Sequence, residues 1–212
     1  MRKIAMAVAC LAALWGVRAM ADDEYAPEHQ HEHEGFYFHV ELGLGGMETR
    51  AGATSNNESM SLSGAAGSFN LALGWSLGDH LVLGGEIWAM SASQPDVKVG
   101  NTSASSDSNS DVTLIGWGPT IRYYIAPEHL NMFLAATPAF TQVSTKLNGI
   151  EGSTRTGLGI RLSVGKEWWL GRSQWGIGVA GHLVLSTNKD NGDNAPTWNT
   201  TGAGVDFSAT WN

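Results

Sequence analysis

The chain has 212 residues, with 12 basic against 20 acidic side chains, a formal net charge of −8 and one cysteine, Cys10. An acidic balance of this size offers no basic face to nucleic acid. No cysteine follows residue 10, so disulfide staples and thiol chemistry are excluded from everything downstream.

Residues 1–21 read as a secretory signal peptide. Arg2 and Lys3 form a basic start, Ile4 to Val17 an apolar core, and Ala19-Met20-Ala21 a small-x-small cleavage site. The apolar core is shorter than the roughly 20 residues that a spanning helix needs. Cys10 sits inside that core rather than after it, which argues against lipidation. Loss of Arg2, Lys3 and Arg18 leaves 9 basic against 20 acidic residues, a net charge of −11. Residues 22–34, "DDEYAPEHQHEHE", are acidic, His-rich and aperiodic, and read as a flexible periplasmic leader. His29, His31 and His33, beside Glu32 and Glu34, would suit zinc, nickel or copper, but a flexible triplet fixes no geometry. The expectation is no metal site and no cofactor.

From residue 35 to 212 eight strand-like segments follow, near 35–48, 66–76, 80–92, 111–125, 130–144, 154–169, 173–187 and 197–211. Long and short connections alternate between them. "LGD" (77–79), "APEH" (126–129) and "LGR" (170–172) are short; "RAGATSNNESMSLSG", "SQPDVKVGNTSASSDSNS" and "TNKDNGDNAP" are long, and "KLNGIEG" is moderate. This is the rhythm of an up-and-down barrel in a membrane, with tight turns on one rim and longer loops on the other. An even strand number puts both termini on the short-turn side, expected to be periplasmic.

Parity then divides each segment. In "GFYFHVELGLG", Phe36, Phe38, Val40, Leu42 and Leu44 alternate with Tyr37, His39, Glu41 and Gly43. The second segment sets Phe69, Leu71, Leu73 and Trp75 against Ser68, Asn70, Ala72 and Gly74. The sixth, seventh and eighth alternate as cleanly, whereas the third and fifth are weak, the fifth carrying apolar residues such as Phe133 on both faces. The bulky parity would be the core of a soluble barrel. Glycine-rich, charge-bearing strands suit the inverse, with bulky residues to lipid and small or paired polar residues filling a narrow lumen. Phe36, Trp75, Tyr123, Trp168, Trp175 and Trp211 share the bulky parity close to the short turns or termini, as an interfacial aromatic belt would.

The opposite parity collects Glu41, Glu86, Arg122, Arg161, Glu167, His182 and Asp206, with His39 near the short-turn end. Counted from the short turns, Glu86 and Arg122 share a depth on neighbouring strands and are expected to pair. Closure of the first strand on the eighth brings Glu41 near Asp206, a juxtaposition that requires a cation or a shared proton. Ser163 and Ser186 lie in the broad neighbourhood of His182, but no nucleophile motif surrounds them.

"GPTIRYYIAPEHLNMFLAATPAF", "GLGIRLSVGKEWWLGRSQWGIGVAG" and the closing "GVDFSATWN" resemble the small outer-membrane β-barrels of Gram-negative bacteria, the OmpA/OmpX-like family. The resemblance covers about Gly35 to Asn212. It implies an eight-stranded antiparallel transmembrane β-barrel in the outer membrane, a closing strand recognised by the barrel-assembly machinery, a monomeric protein and outer-membrane lipid as surroundings. One departure is Asn212, which follows the aromatic Trp211 on which such strands usually end. The expected role is structural or surface-interactive, with a mostly plugged polar lumen and no enzymatic activity. A narrow channel or transporter is the alternative; a lipid-modifying enzyme and a soluble periplasmic barrel stand further back.

Overall fold

The computed structural model describes residues 35–52, 59–100, 102–105, 110–127, 130–147, 149–170, 173–191 and 195–212. Residues 1–34, over which a signal peptide and an acidic leader with His29, His31 and His33 are expected, and His129 lie outside the described residues.

Among the described residues eleven strands form: β1 (Gly35–Ala51), β2 (Met60–Ser76), β3 (Leu81–Ser93), β4 (Asp96–Val99), β5 (Thr102–Ser105), β6 (Asp111–Ile125), β7 (Met132–Leu147), β8 (Ile150–Ser153), β9 (Gly157–Trp169), β10 (Trp175–Lys189) and β11 (Thr197–Trp211). Eight of them make a closed wall in the order β1–β2–β3–β6–β7–β9–β10–β11, and β11 returns to β1. Each wall strand pairs antiparallel with its neighbours. Closure leaves no sheet edge in the wall, which is what a strand architecture needs in hydrocarbon, where unpaired backbone groups find no water.

The long connections hold more structure than their composition suggested. β1 and β2 stay paired up to Ala51↔Met60, so "ESMSLSG" is mostly strand. The third connection contains the β4–β5 hairpin, turned at Gly100 in the left-handed region (φ 55°) and laid on the far end of β2. In the fifth, β8 folds back on β7 through Gly149 (φ 83°). Polar residues such as Ser61, Ser63 and Lys98 satisfy a strand pattern as readily as a loop pattern once a neighbouring strand supplies the ladder.

The bulky parity faces outward. Leu44, Phe207 and Leu158 are 67–78% exposed, and Leu42, Leu73, Ile87, Ile121, Leu134, Phe140 and Ile177 are exposed with them. On β1 the outward row runs from Phe36 to Leu44, then changes to Glu48 and Arg50, which pair at 2.9 Å. Nine residues at about 3.3 Å each and the usual tilt of roughly 40° give an apolar band on the order of 20–25 Å tall, the height of a barrel's hydrocarbon belt.

The interior is not uniformly small and polar. A buried apolar cluster fills the long-loop half: Met47, Leu62, Trp88, Met90, Val112, Leu114 and Val143, with smaller neighbours. A second, with Tyr37, Val82, Tyr124 and Phe133, fills the short-turn half. These side chains come mainly from β3, β6 and β7. Weak alternation on the third and fifth segments therefore marks the strands that supply the lumen's apolar filling. Gly116 shows how close the packing is: a Cβ there would overlap the Trp88 indole.

One ladder is interrupted. Between β6 and β7 the pairing runs from Asp111↔Lys146 to Trp117↔Phe140 and resumes at Ile121↔Ala136. That register sets Pro119 opposite Pro138. Neither has an N–H to donate, and the ladder breaks across residues 118–120 and 137–139. Pairing on the other side of each strand continues, through Gly85↔Pro119 and Pro138↔Ile160. Among the described residues, the other seven wall ladders are unbroken.

Candidate functional site: a charge network across the lumen

A layer of buried charge lies on the short-turn side of the first apolar cluster and interleaves with the second. Glu41 (β1), Glu86 (β3), Arg122 (β6), Arg161 and Glu167 (β9), His182 (β10) and Asp206 (β11) are all at most 6% exposed, and His39 (β1) is fully buried. Strand alternation puts them inside, because each sits between two outward apolar neighbours or next to one.

Two guanidinium centres organise the layer. Arg161 donates from one terminal nitrogen to Glu41 Oε2 and, at 2.9 Å, to Asp206 Oδ2, and from the other to Glu86 Oε1 at 3.3 Å. Its three acids come from three different strands. Arg122 donates to Glu167 Oε1 at 3.0 Å and lies 3.8 Å from Glu41 Oε1. Its guanidinium packs 4.0 Å from the centre of the Phe133 ring and 5.4 Å from that of Tyr37, so its faces are covered by aromatic surface while its edge meets carboxylate.

Further side chains complete the acids' hydrogen bonding. Glu41 also accepts from His39 Nε2–H at 2.8 Å and Asn70 Nδ2 at 2.8 Å. Glu167 accepts from Tyr124 Oη at 2.9 Å and Thr210 Oγ1 at 2.7 Å. Asp206 accepts from Ser68 Oγ at 2.5 Å and His182 Nδ1–H at 2.6 Å. Glu86 accepts from Thr120 Oγ1 at 3.2 Å, and Thr120 in turn accepts from Thr137. The carboxylates can only accept, which assigns the proton to His39 Nε2 and to His182 Nδ1. Such buried acids cost several kcal/mol each unless paired and bonded in this way.

The pairing expected between Glu86 and Arg122 is not formed. In register Arg122 faces Val82 and Glu86 faces Gly118, four residues, or about 13 Å, apart along the strand. Counting from the short turns fails because β3 and β6 are joined at the opposite rim and the barrel's stagger offsets them. Glu86 reaches Arg161 instead, and Arg122 reaches Glu167. Glu41 and Asp206 do come close, bridged by Arg161. Tyr124, Asn70, Ser68, Thr120 and Thr210, absent from the sequence-based set, share its inward parity; neutral side chains carry no separate signal.

His182 faces Ser163 in register and bonds to Asp206, but no hydrogen bond joins Ser163 Oγ to the ring. Ser186 Oγ donates to Asn188 Oδ1 at 3.2 Å. No nucleophile is thus held on the imidazole.

On the exterior, Phe36, Trp75, Trp211 and Trp175 form a row at the short-turn rim through the registers Phe36↔Trp75, Phe38↔Trp211 and Trp175↔Trp211. Trp168 joins one rung in, opposite Ile177, with the Lys166 ammonium 5.6 Å from its ring centre. Tyr123 continues the rim on β6, stacked 5.7 Å from His80. Asn212 sits just inside this row, buried. Its side chain accepts from Ser76 Oγ and donates to the Phe36 carbonyl, both at 3.1 Å, while its amide donates to the Gln174 carbonyl at 3.0 Å.

An apolar belt outside a closed eight-stranded wall, with paired charges within, defines the fold of the small eight-stranded outer-membrane β-barrels. Neisserial surface protein A has this fold in its crystal structure: it aligns with a TM-score of 0.55 at 13% identity, over 84% of this chain and 96% of that one. Outer membrane protein AlkL, determined in lipid bilayers, aligns at 0.48 and 12% identity, over 91% of this chain and 97% of its own. Ail, the attachment invasion locus protein of Yersinia pestis, aligns at 0.40 and 10%, over 82% and 99%. The first alignment shows a shared fold; the other two add no weight. No family model and no curated protein matches the chain.

Proposed function

We propose that the chain is a monomeric integral outer-membrane barrel with a structural or surface-interaction role, closed along its axis, with both termini and the short turns on the periplasmic side. The observation that carries this reading is the lumen's filling. Ions entering from the long-loop rim meet a packed apolar cluster, and those entering from the short-turn rim meet Tyr37, Tyr124 and Phe133 interleaved with a network in which every carboxylate has a guanidinium, imidazole or hydroxyl partner. A conducting path needs binding that is weak enough to release, and a fully paired network offers no vacant site. Outer-membrane lipid surrounds the belt, and the barrel-assembly machinery receives the closing strand β11. The β4–β5 and β7–β8 hairpins, above the belt, are the elements available to partners outside the cell.

Planar-bilayer recording tests the closed axis. The refolded barrel is expected to show no steady conductance above lipid background in 1 M KCl, a concentration on the order of those at which surface screening is complete. Stable, voltage-independent unitary steps would replace this reading with a channel. Heat-modifiable gel mobility after membrane extraction tests residence; a soluble fraction would overturn it.

A further inference from the structure

We infer that the long-loop half of the lumen holds a binding site for a soft monovalent cation, copper(I), made by His182 Nε2 with the thioethers of Met90 and Met47. Three observations converge on it.

The first is an imidazole nitrogen with nothing to bind. Every carboxylate of the charge network is paired, but one of its ring nitrogens is not. His182 gives its Nδ1–H to Asp206 Oδ2 at 2.6 Å, so Nε2 carries a bare lone pair. That nitrogen is buried and has no hydrogen-bond partner among the described residues. Asp206 is itself fixed by Ser68 and, at 2.9 Å, by Arg161. A histidine that binds metal through one nitrogen ordinarily donates from the other to a carboxylate, which sets the tautomer and makes the free nitrogen more basic. Here that supporting bond is already in place.

The second is what lies beside it. His182 faces Gly204 of β11 in register, and a Cβ on Gly204 would come 2.8 Å from Cε1, the ring carbon next to Nε2. Two positions, or about 7 Å, further along the same face, the Met90 thioether covers Gly202, where a Cβ would come 2.6 Å from Sδ. Met47 of β1 faces Gly202 in register and is buried on the inward parity. Three strands thus bring an imidazole and two thioethers onto a floor that two glycines keep low. Methionine turns about three bonds, so both sulfurs can close on a common atom without backbone movement.

The third is charge and chemical character. The donor set is neutral, and thioether sulfur with imidazole selects copper(I) over ions that need carboxylate or carbonyl oxygen. Trp88, Leu114 and Val184 surround the methionines, and a single positive charge costs less than a double one to bring among such side chains. Below them four carboxylates, Glu41, Glu86, Glu167 and Asp206, face two guanidiniums, Arg122 and Arg161; an acid surplus remains even with His39 protonated on both nitrogens. A cation at the edge of the layer offsets that surplus. Met60, which opens β2 and packs on the cluster, is the thioether nearest the long-loop rim and marks the way in. Arg122 and its aromatic neighbours fill the lumen on the short-turn side, so the ion is held rather than conducted.

Copper(I) itself is the probe. The protein extracted from the outer membrane in detergent is titrated anaerobically against the copper(I)–bicinchoninate complex, with ascorbate present, and the loaded protein is examined by X-ray absorption at the copper edge. Residues 22–34 contain three histidines but no sulfur, so a sulfur shell distinguishes this site from the leader. A single copper(I) with a sulfur shell is expected, and excess zinc(II) is expected to leave that shell unchanged. Met47→Leu with Met90→Leu, which conserves core volume, is expected to remove the shell and weaken binding of that copper roughly tenfold or more. His182→Gln is expected to weaken it about as much. Met132→Leu, on the outward parity of β7, is expected to change neither affinity nor shell. Heat-modifiable mobility checks that each variant is folded. Absence of a sulfur shell in the native protein, or a shell and an affinity that persist in the folded Met47→Leu, Met90→Leu protein, would overturn the site.

Discussion

The seam between β1 and β11 and the seam between β6 and β7 are built to opposite ends. The first runs without interruption from Phe38↔Trp211 to Ala51↔Trp198, and its lumen face is bound into the charge network through His39, Glu41, Asp206 and Thr210. The second lacks a rung at Pro119–Pro138 and is joined behind the gap by a single hydroxyl pair. Both are lined by the same apolar exterior. The difference shows that a closed barrel need not be uniformly strong: backbone pairing and lumen chemistry together set where the wall holds and where it yields.

The comparison can be broken most severely at its centre. Arg161→Met leaves Glu41, Glu86 and Asp206 without their shared cation and is expected to lower stability by about 3–5 kcal/mol, read as a shift of the urea midpoint for the barrel refolded in vesicles. Next in size, Ala209→Pro puts a proline into the intact β11 ladders. The cost is expected to be roughly 3 kcal/mol, and amide exchange should quicken along β11 and its neighbours, making the strong seam resemble the weak one. Pro119→Val with Pro138→Val works in the other direction. Two regained ladder bonds at about 1 kcal/mol each should raise the midpoint, and the flanking amides of Thr120 and Ala139 should gain protection. The smallest effect is expected at the rim, where Asn212→Ala removes bonds to Ser76 and Phe36 for roughly 1 kcal/mol. A loss under Arg161→Met no larger than that under Asn212→Ala would mean the network contributes nothing to the strength of the β1 side.

Much of this wall was legible in the sequence. Alternation on β1, β2, β9, β10 and β11 assigned Glu41, Arg161, Glu167, His182 and Asp206 to one parity, and the rhythm of short and long connections ordered the strands. Depth was not legible. Arg122 and Glu86 look level when counted from their turns, yet the stagger of the closed sheet separates them by four positions. The lumen's apolar filling was hidden for a different reason. Phe133, Leu114 and Trp88 add greasy residues to the polar parity, and a period of two disappears when both faces are apolar. The paired prolines stand in plain sight in "GPTIRYY" and "AATPAF", but each is innocuous alone. Only the register makes them one gap. Asn212, which looked like a departure from the strand-ending pattern, ties β1, β2 and the turn between β9 and β10 together at the rim.

Arg161 carries one more consequence. Its acids arrive from β1, β3 and β11, segments far apart in the chain. A slip of one residue in any of these strands would turn its carboxylate out into hydrocarbon and its lipid-facing neighbour inward. The network thus works as a combination lock on assembly. Each strand is a dial, the guanidinium is the bolt, and the barrel is secured only when all three read the correct position at once.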